Sequence, residues 1–302
     1  MSGAASANFL LPRPPPRDSA KDELMSTSAA MPPFNVGAEH IRFKDVAEMR
    51  RFAQRFIDLW DRDRDRQVTM LVEYANAGGP VIWSLANHSV ELCRTLLLLS
   101  EQNRLIVAMP LMRLMIENAV SAVWLHLKPE AGRAMVAEGL RQRVAAIREI
   151  ISQDAAGFTQ ETLDDWQSQL DEFKIDAHPE GKSFEQRCLA IDGGGSLYTT
   201  WRVASSLSHA GMAIGDFYLE SAEITNSNPL GIEMHPDAVL SPHEAWLGTS
   251  ICMLLTSLKA FDYVTEKRRF RAQIDAGAKR MGIELNFKLK QQSTAAGEPS
   301  QA

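Results

Sequence analysis

The chain has 302 residues, 45% of them hydrophobic and 23% charged, with a formal net charge of −6. That is enough apolar material for one large domain or two small ones, and the acidic balance excludes a global basic field for capturing nucleic acid, though not a local basic patch. The three cysteines, Cys93, Cys188 and Cys252, stand far apart with no CxxC pair, which predicts small buried thiols in a reducing, cytoplasmic setting.

Residues 1–38 are rich in Ala, Ser and Pro ("PRPPPR", "AAMPPF") and carry no hydrophobic period, so they read as a disordered tail. Their apolar run, Phe9-Leu10-Leu11, is too short for a secretory signal and is followed at once by proline. Residues 39–285 read as a single all-α domain, a bundle of about seven helices, and residues 286–302 as a second disordered tail.

In "FKDVAEMRRFAQRFIDLW" the residues Phe43, Val46, Phe52, Phe56 and Leu59 recur at helical spacing. The DRDRDR that follows reads as the solvated face of the same helix, broken at Gly78-Gly79-Pro80. A second helix is expected over 81–100 and a third over 103–127, the latter stopped at Lys128-Pro129 because a residue before proline leaves the helical region. A fourth covers 130–153 with Arg141, Arg143 and Arg148 toward solvent, and an acidic fifth follows Thr159. After a loop, Ser183 and Gln186 form a capping box. Gly193-Gly194-Gly195 reads as a hinge into a helix over 197–213. Residues 222–241 read as a long polar loop. Ser241-Pro242-His243-Glu244 then opens a helix expected to reach Arg271. No strand pair is expected.

The third helix is apolar enough to suggest a membrane span, but Arg113 and Glu117 near its centre would each cost about 2.5–3.5 kcal/mol there. A buried helix and no membrane partner follow. Four residues apart, the two charges lie about 40° from each other on one face. A surface pair is worth only about 0–1 kcal/mol and a buried one often does no better than a hydrophobic replacement. The pair is therefore expected to meet polar groups from another helix. "SLYTTWRVASSLSHAGM" offers them: Tyr198, Arg202, Ser205 and His209 fall on one stripe about 60° wide, with Leu197, Trp201, Ala204 and Leu207 on other faces. The stripe is expected to look into an enclosed space shared with Arg113 and Glu117. A histidine among arginines and a carboxylate has the chemistry of an acid or base acting on a phosphate ester.

Glu233, His235, Asp237, His243 and Glu244 gather in the polar loop, but no HExxH or Glu-x-x-His spacing occurs, so no metal and no cofactor is expected. The glycine run follows no strand and is not a nucleotide-binding signal.

Arg202 and His209 fit the spacing R-x(4–6)-H, which resembles the HEPN superfamily of helical ribonucleases and toxins. HEPN proteins usually carry a polar residue directly after the arginine, where this chain has Val203. The segments "LMRLMIENAVSAVWL" and "YTTWRVASSLSHAG" resemble a bacterial helical family of unknown function that pairs an Arg/Glu helix with a Ser/His helix, over about residues 80–220. That resemblance implies an all-α fold and singles out Arg113, Glu117, Ser205 and His209. The function that follows is metal-independent RNA cleavage. His209 would be the general acid/base, Arg202 or Arg113 would steady phosphate charge, Glu117 would orient them, and Ser205 and Tyr198 would position the substrate. In the competing reading the same residues form a buried network in a non-catalytic binding or scaffold protein. RNA is the expected partner, and homo-oligomerisation is compatible with either reading.

Overall fold

The computed structural model describes residues 43–63, 67–75, 77–154, 157–172, 183–238 and 243–291. Residues 1–42 and 292–302, which hold the whole of the expected N-terminal tail and the last part of the C-terminal one, lie outside the described residues, as do Arg64 to Arg66 of the DRDRDR run.

Ten α-helices form among the described residues rather than about seven. In chain order they are α1 (Val46–Asp63), α2 (Gly78–Glu101), α3 (Met109–Leu127), α4 (Gly132–Ser152), α5 (Gln160–Glu172), α6 (Phe184–Ala190), α7 (Gly194–Ser206), α8 (Met212–Gly215), α9 (His243–Tyr263) and α10 (Arg271–Met281). The extra helices come from breaks that hydrophobic periodicity does not register. The expected 197–213 helix stops at Ser206 and restarts as the four-residue α8. The helix opened at His243 ends at Tyr263, where Val264 N–H tightens onto Phe261 O and Thr265 Oγ1–H donates to Asp262 O, and the Asp262 carboxylate accepts the Phe270 N–H at 3.0 Å beyond the break. A strand pair also forms where none was expected. In β1 (Leu219–Ser221) and β2 (Ile232–Met234), Leu219 pairs with Met234 and Ser221 with Ile232, antiparallel.

The core is the packing of α2, α3 and α9 on one another. Helix α3 explains its own composition: Met112, Met115, Ile116, Ala119, Val120, Val123 and Trp124 are all buried. The span Leu105–Leu127 is long and apolar enough to cross a membrane, and 67% of its most apolar window is buried inside the fold. Polar ties fix the register between helices. Ser89 on α2 bonds Ser257 on α9 at 3.0 Å, and Trp60 Nε1 on α1 donates to Asn87 Oδ1 at 3.0 Å. Cys93, Cys188 and Cys252 are buried and free, and burial pushes each thiol up to about 12.

Around this core, α1 and α10 pack on α9, while α6 and α7 pack on α3. Helices α4 and α5 form a hairpin with a small core of their own, Val144, Ile147 and Leu163. Residues 286–291, expected in the C-terminal tail, run instead along α6. Ile283, Leu285 and Phe287 are buried in alternation with exposed neighbours. Leu289 forms a bridge with Ile191, and Lys290 N–H donates to Ala190 O at 2.9 Å. The alternation in "IELNFKLK" is thus an extended segment laid on the core, with one bridge in place of a ladder.

Candidate functional site

The seam between α3 and α7 is set by a tight corner at the glycine run. Gly193 adopts φ 74, in the left-handed region, as the N-cap of α7. A Cβ on Gly194 would fall 1.9 Å from the Cys188 carbonyl oxygen, so only glycine lets α7 start this close to α6. The run is a packed corner and not the expected hinge. The Ser183 cap of α6 forms as expected, accepting Gln186 N–H at 3.4 Å.

From that corner α7 turns Gly194, Leu197, Trp201 and Ala204 inward. Trp201, placed on another face in the sequence reading, is the residue that meets the charged pair. Its Nε1–H donates to Glu117 Oε1 at 2.7 Å. Arg113 Nε donates to the same oxygen at 3.0 Å, and the Arg113 guanidinium lies over the Trp201 ring, 5.2 Å from its centroid. Indole offers a donor edge and an electron-rich face together, so one side chain answers both charges of the pair.

Arg113 Nη1 then reaches His209 Nε2 at 3.4 Å. A guanidinium only donates, so His209 accepts through Nε2 and carries its proton on Nδ1 in this arrangement. The structure therefore brings Arg113, Glu117 and His209 together, as the sequence reading required. The geometry differs from the expected stripe. Because α7 ends at Ser206, His209 comes from the turn before α8, and it is exposed. The seam is a half-open surface cluster rather than an enclosed space, with the Arg113 and Glu117 side chains 29% and 28% exposed.

The other expected residues lie beside the cluster. Tyr198 stacks on Trp201 with ring centroids 5.7 Å apart. Desolvation, and then the Glu185 carboxylate, push its hydroxyl above its ordinary value. Arg202 is exposed on the outer side of α7, and Ser205 is half-buried with its carbonyl accepting Ser208 N–H at 3.0 Å.

A further residue missed in the sequence is Arg187 on α6. Burial lowers its guanidinium from the ordinary value, and its electrostatic neighbours include Glu117 and Glu138. It follows the Ser183 cap by one turn and lies over the Phe184 ring, 5.9 Å from its centroid, a contact that periodicity does not show. In the polar loop, His235 pairs with Glu220 at 3.1 Å and Asp237 with Arg104 at 3.2 Å. Among the described residues no group of three His, Cys, Asp or Glu side chains is placed to hold a metal ion.

Residues 81–226 match the profile of a family described as Family of unknown function (DUF5677). That span runs from α2 through β1 and holds the whole α3–α7 seam. No curated protein matches the chain. No solved structure matches it either.

Proposed function

We propose that the α3–α7 seam is a site for a phosphate ester and that the protein is a HEPN-like, metal-independent endoribonuclease. The observation that carries this reading is the exposed His209 held against the Arg113 guanidinium, whose Nε is anchored by Glu117. Anchoring at Nε fixes the plane of the fork and leaves the Nη groups out of the Glu117 pair, with Nη1 on His209, and a fork so fixed suits a non-bridging phosphate oxygen. On arrival of the phosphate, Arg113 transfers its Nη1 hydrogen bond from His209 to the ligand, which frees the Nε2 lone pair.

His209 Nε2 then takes the proton of a ribose 2′-hydroxyl as that oxygen attacks the adjacent phosphorus. The P–O5′ bond breaks, and the proton passes from Nε2 to the leaving 5′ oxygen, giving a 2′,3′-cyclic phosphate and a free 5′-hydroxyl. Arg113 steadies the charge on the pentacoordinate phosphorus. Exposed Arg202 guides the strand, and Tyr198 and Ser205 border its path. The test is an oligoribonucleotide incubated with the full chain in EDTA beside a copy with one 2′-deoxy residue at the cleaved step. Cyclic-phosphate ends from the first and no cleavage at the modified step of the second are expected. Cleavage at the deoxy step overturns the mechanism.

A second reading has its own support. Glu117 Oε1 already accepts from both Arg113 and Trp201, as a structural clasp between α3 and α7 would. In that reading the protein is a non-catalytic scaffold, and loss of His209 changes no chemistry.

A further inference from the structure

On the α9 side of the bundle, α1 and α10 flank a groove that the seam does not use. Its lips are arginines, Arg55 and Arg62 on α1 and Arg280 on α10, with Gln273 also on α10. Its floor includes Phe52 and Phe56.

The charges in this groove are poorly matched. Asp58 stands one turn from both Arg55 and Arg62, where helical ion pairs normally form, yet it accepts from Gln54 Nε2 at 2.8 Å instead. Arg55 rests on the Phe52 ring, 5.3 Å from its centroid. Among the described residues no carboxylate is within ion-pair distance of Arg55 or Arg62. Arg280 is already engaged with Glu48 and stacked on Phe43. In a chain of net charge −6, two unpaired arginines on one lip are a local positive feature.

We infer that the groove between α1 and α10 binds the phosphodiester backbone of single-stranded RNA. Three observations choose that ligand. Arg55 and Arg62 are seven residues apart, about 10.5 Å along the helix, so a single small anion cannot satisfy both and a chain of phosphates can. The cations on the lips are three arginines and no lysine, against the one carboxylate Asp58, and arginine's planar fork suits phosphate oxygens. Phe52 and Phe56 are only 3% and 6% exposed, so these two rings offer an amphipathic peptide little surface, whereas Arg55 and Arg62 are both exposed. This inference does not rest on cleavage at the seam.

The test measures binding of a fluorescein-labelled oligouridylate by anisotropy, with the full chain carrying His209→Ala in EDTA so that cleavage cannot intrude. Arg55→Ala/Arg62→Ala is compared with the exposed control Arg148→Ala, and thermal melts confirm that each variant is folded. From about 50 to about 200 mM salt, the double substitution should weaken binding about tenfold or more at the low end. It should also flatten the slope of log K against log salt by about 1.4, since each lost phosphate contact on a single strand contributes about 0.7. The Arg148→Ala control should match its parent. No binding at low salt, an unchanged slope in the double variant, or equal displacement by polyglutamate each overturns the inference. A protein that cleaves RNA but binds it independently of Arg55 and Arg62 also overturns it, and leaves the cleavage reading standing.

Discussion

Replacing Glu117 by alanine and Trp201 by phenylalanine, singly and together, isolates the bond that closes the α3–α7 seam. Trp201 Nε1–H meets Glu117 Oε1 at 2.7 Å, and a hydrogen bond to a charged group is worth about 1.5–3 kcal/mol when both partners are well sequestered. Here the Glu117 side chain is 28% exposed, so water can replace part of what is lost. A coupling of about 1–1.5 kcal/mol is the reasonable expectation. Glu117→Ala also strips Arg113 Nε of its acceptor and should cost more than Trp201→Phe, which keeps an aromatic face under the guanidinium. The assay is urea unfolding of the four proteins, read as a double-mutant cycle. Single effects that add to within about 0.3–0.5 kcal/mol would refute the clasp, because independent sites behave that way.

Two other perturbations test different parts of the fold. His126 is stacked against Tyr263 with ring centroids 4.8 Å apart, and burial, helped by Arg268, pushes its imidazole down to about 4. The unfolded chain then binds the proton first as pH falls. Stability should be full above about 6.5 and decline by at most about 3 kcal/mol on going down to about 4, measurable as urea midpoints against pH. His126→Phe should flatten that window, and a wild-type profile with no loss between those values contradicts the placement. At the α6–α7 corner, Gly194→Ala drives a Cβ into the Cys188 carbonyl and should cost about 3 kcal/mol or more. Gly195→Ala meets nothing within 4 Å and should be neutral or stabilising by up to about 1 kcal/mol. Similar melts for the two variants would show the corner to be loose.

The all-α class, the buried α3 and the meeting of Arg113 with His209 were legible because they rest on composition and on the cost of isolated charge. The partner was not. A helical wheel counts tryptophan as apolar and so hides Trp201, whose N–H is the donor that Glu117 accepts. The same wheel carried His209 past Ser206 onto a helix that had already ended, and so placed it in an enclosed stripe. What closes α7 and α9 is hydrogen bonding by polar side chains: Ser208 Oγ–H donates to Ala204 O, and Thr265 Oγ1–H to Asp262 O. Periodicity does not see such contacts. Nor could it find the strand pair, whose three-residue arms fall below any readable alternation.

The cleavage reading stands or falls on one comparison: wild type and His209→Ala, each incubated with mixed RNA in EDTA and melted in parallel. A catalytic histidine contributes about 10²–10⁴-fold in rate. An exposed side chain holding one 3.4 Å contact contributes little to the fold. Wild type should cleave, the variant should lose activity by that factor, and the two melting curves should match closely. Intact RNA with folded wild type, together with a lowered melt in His209→Ala, would contradict the cleavage reading and make the seam a structural network.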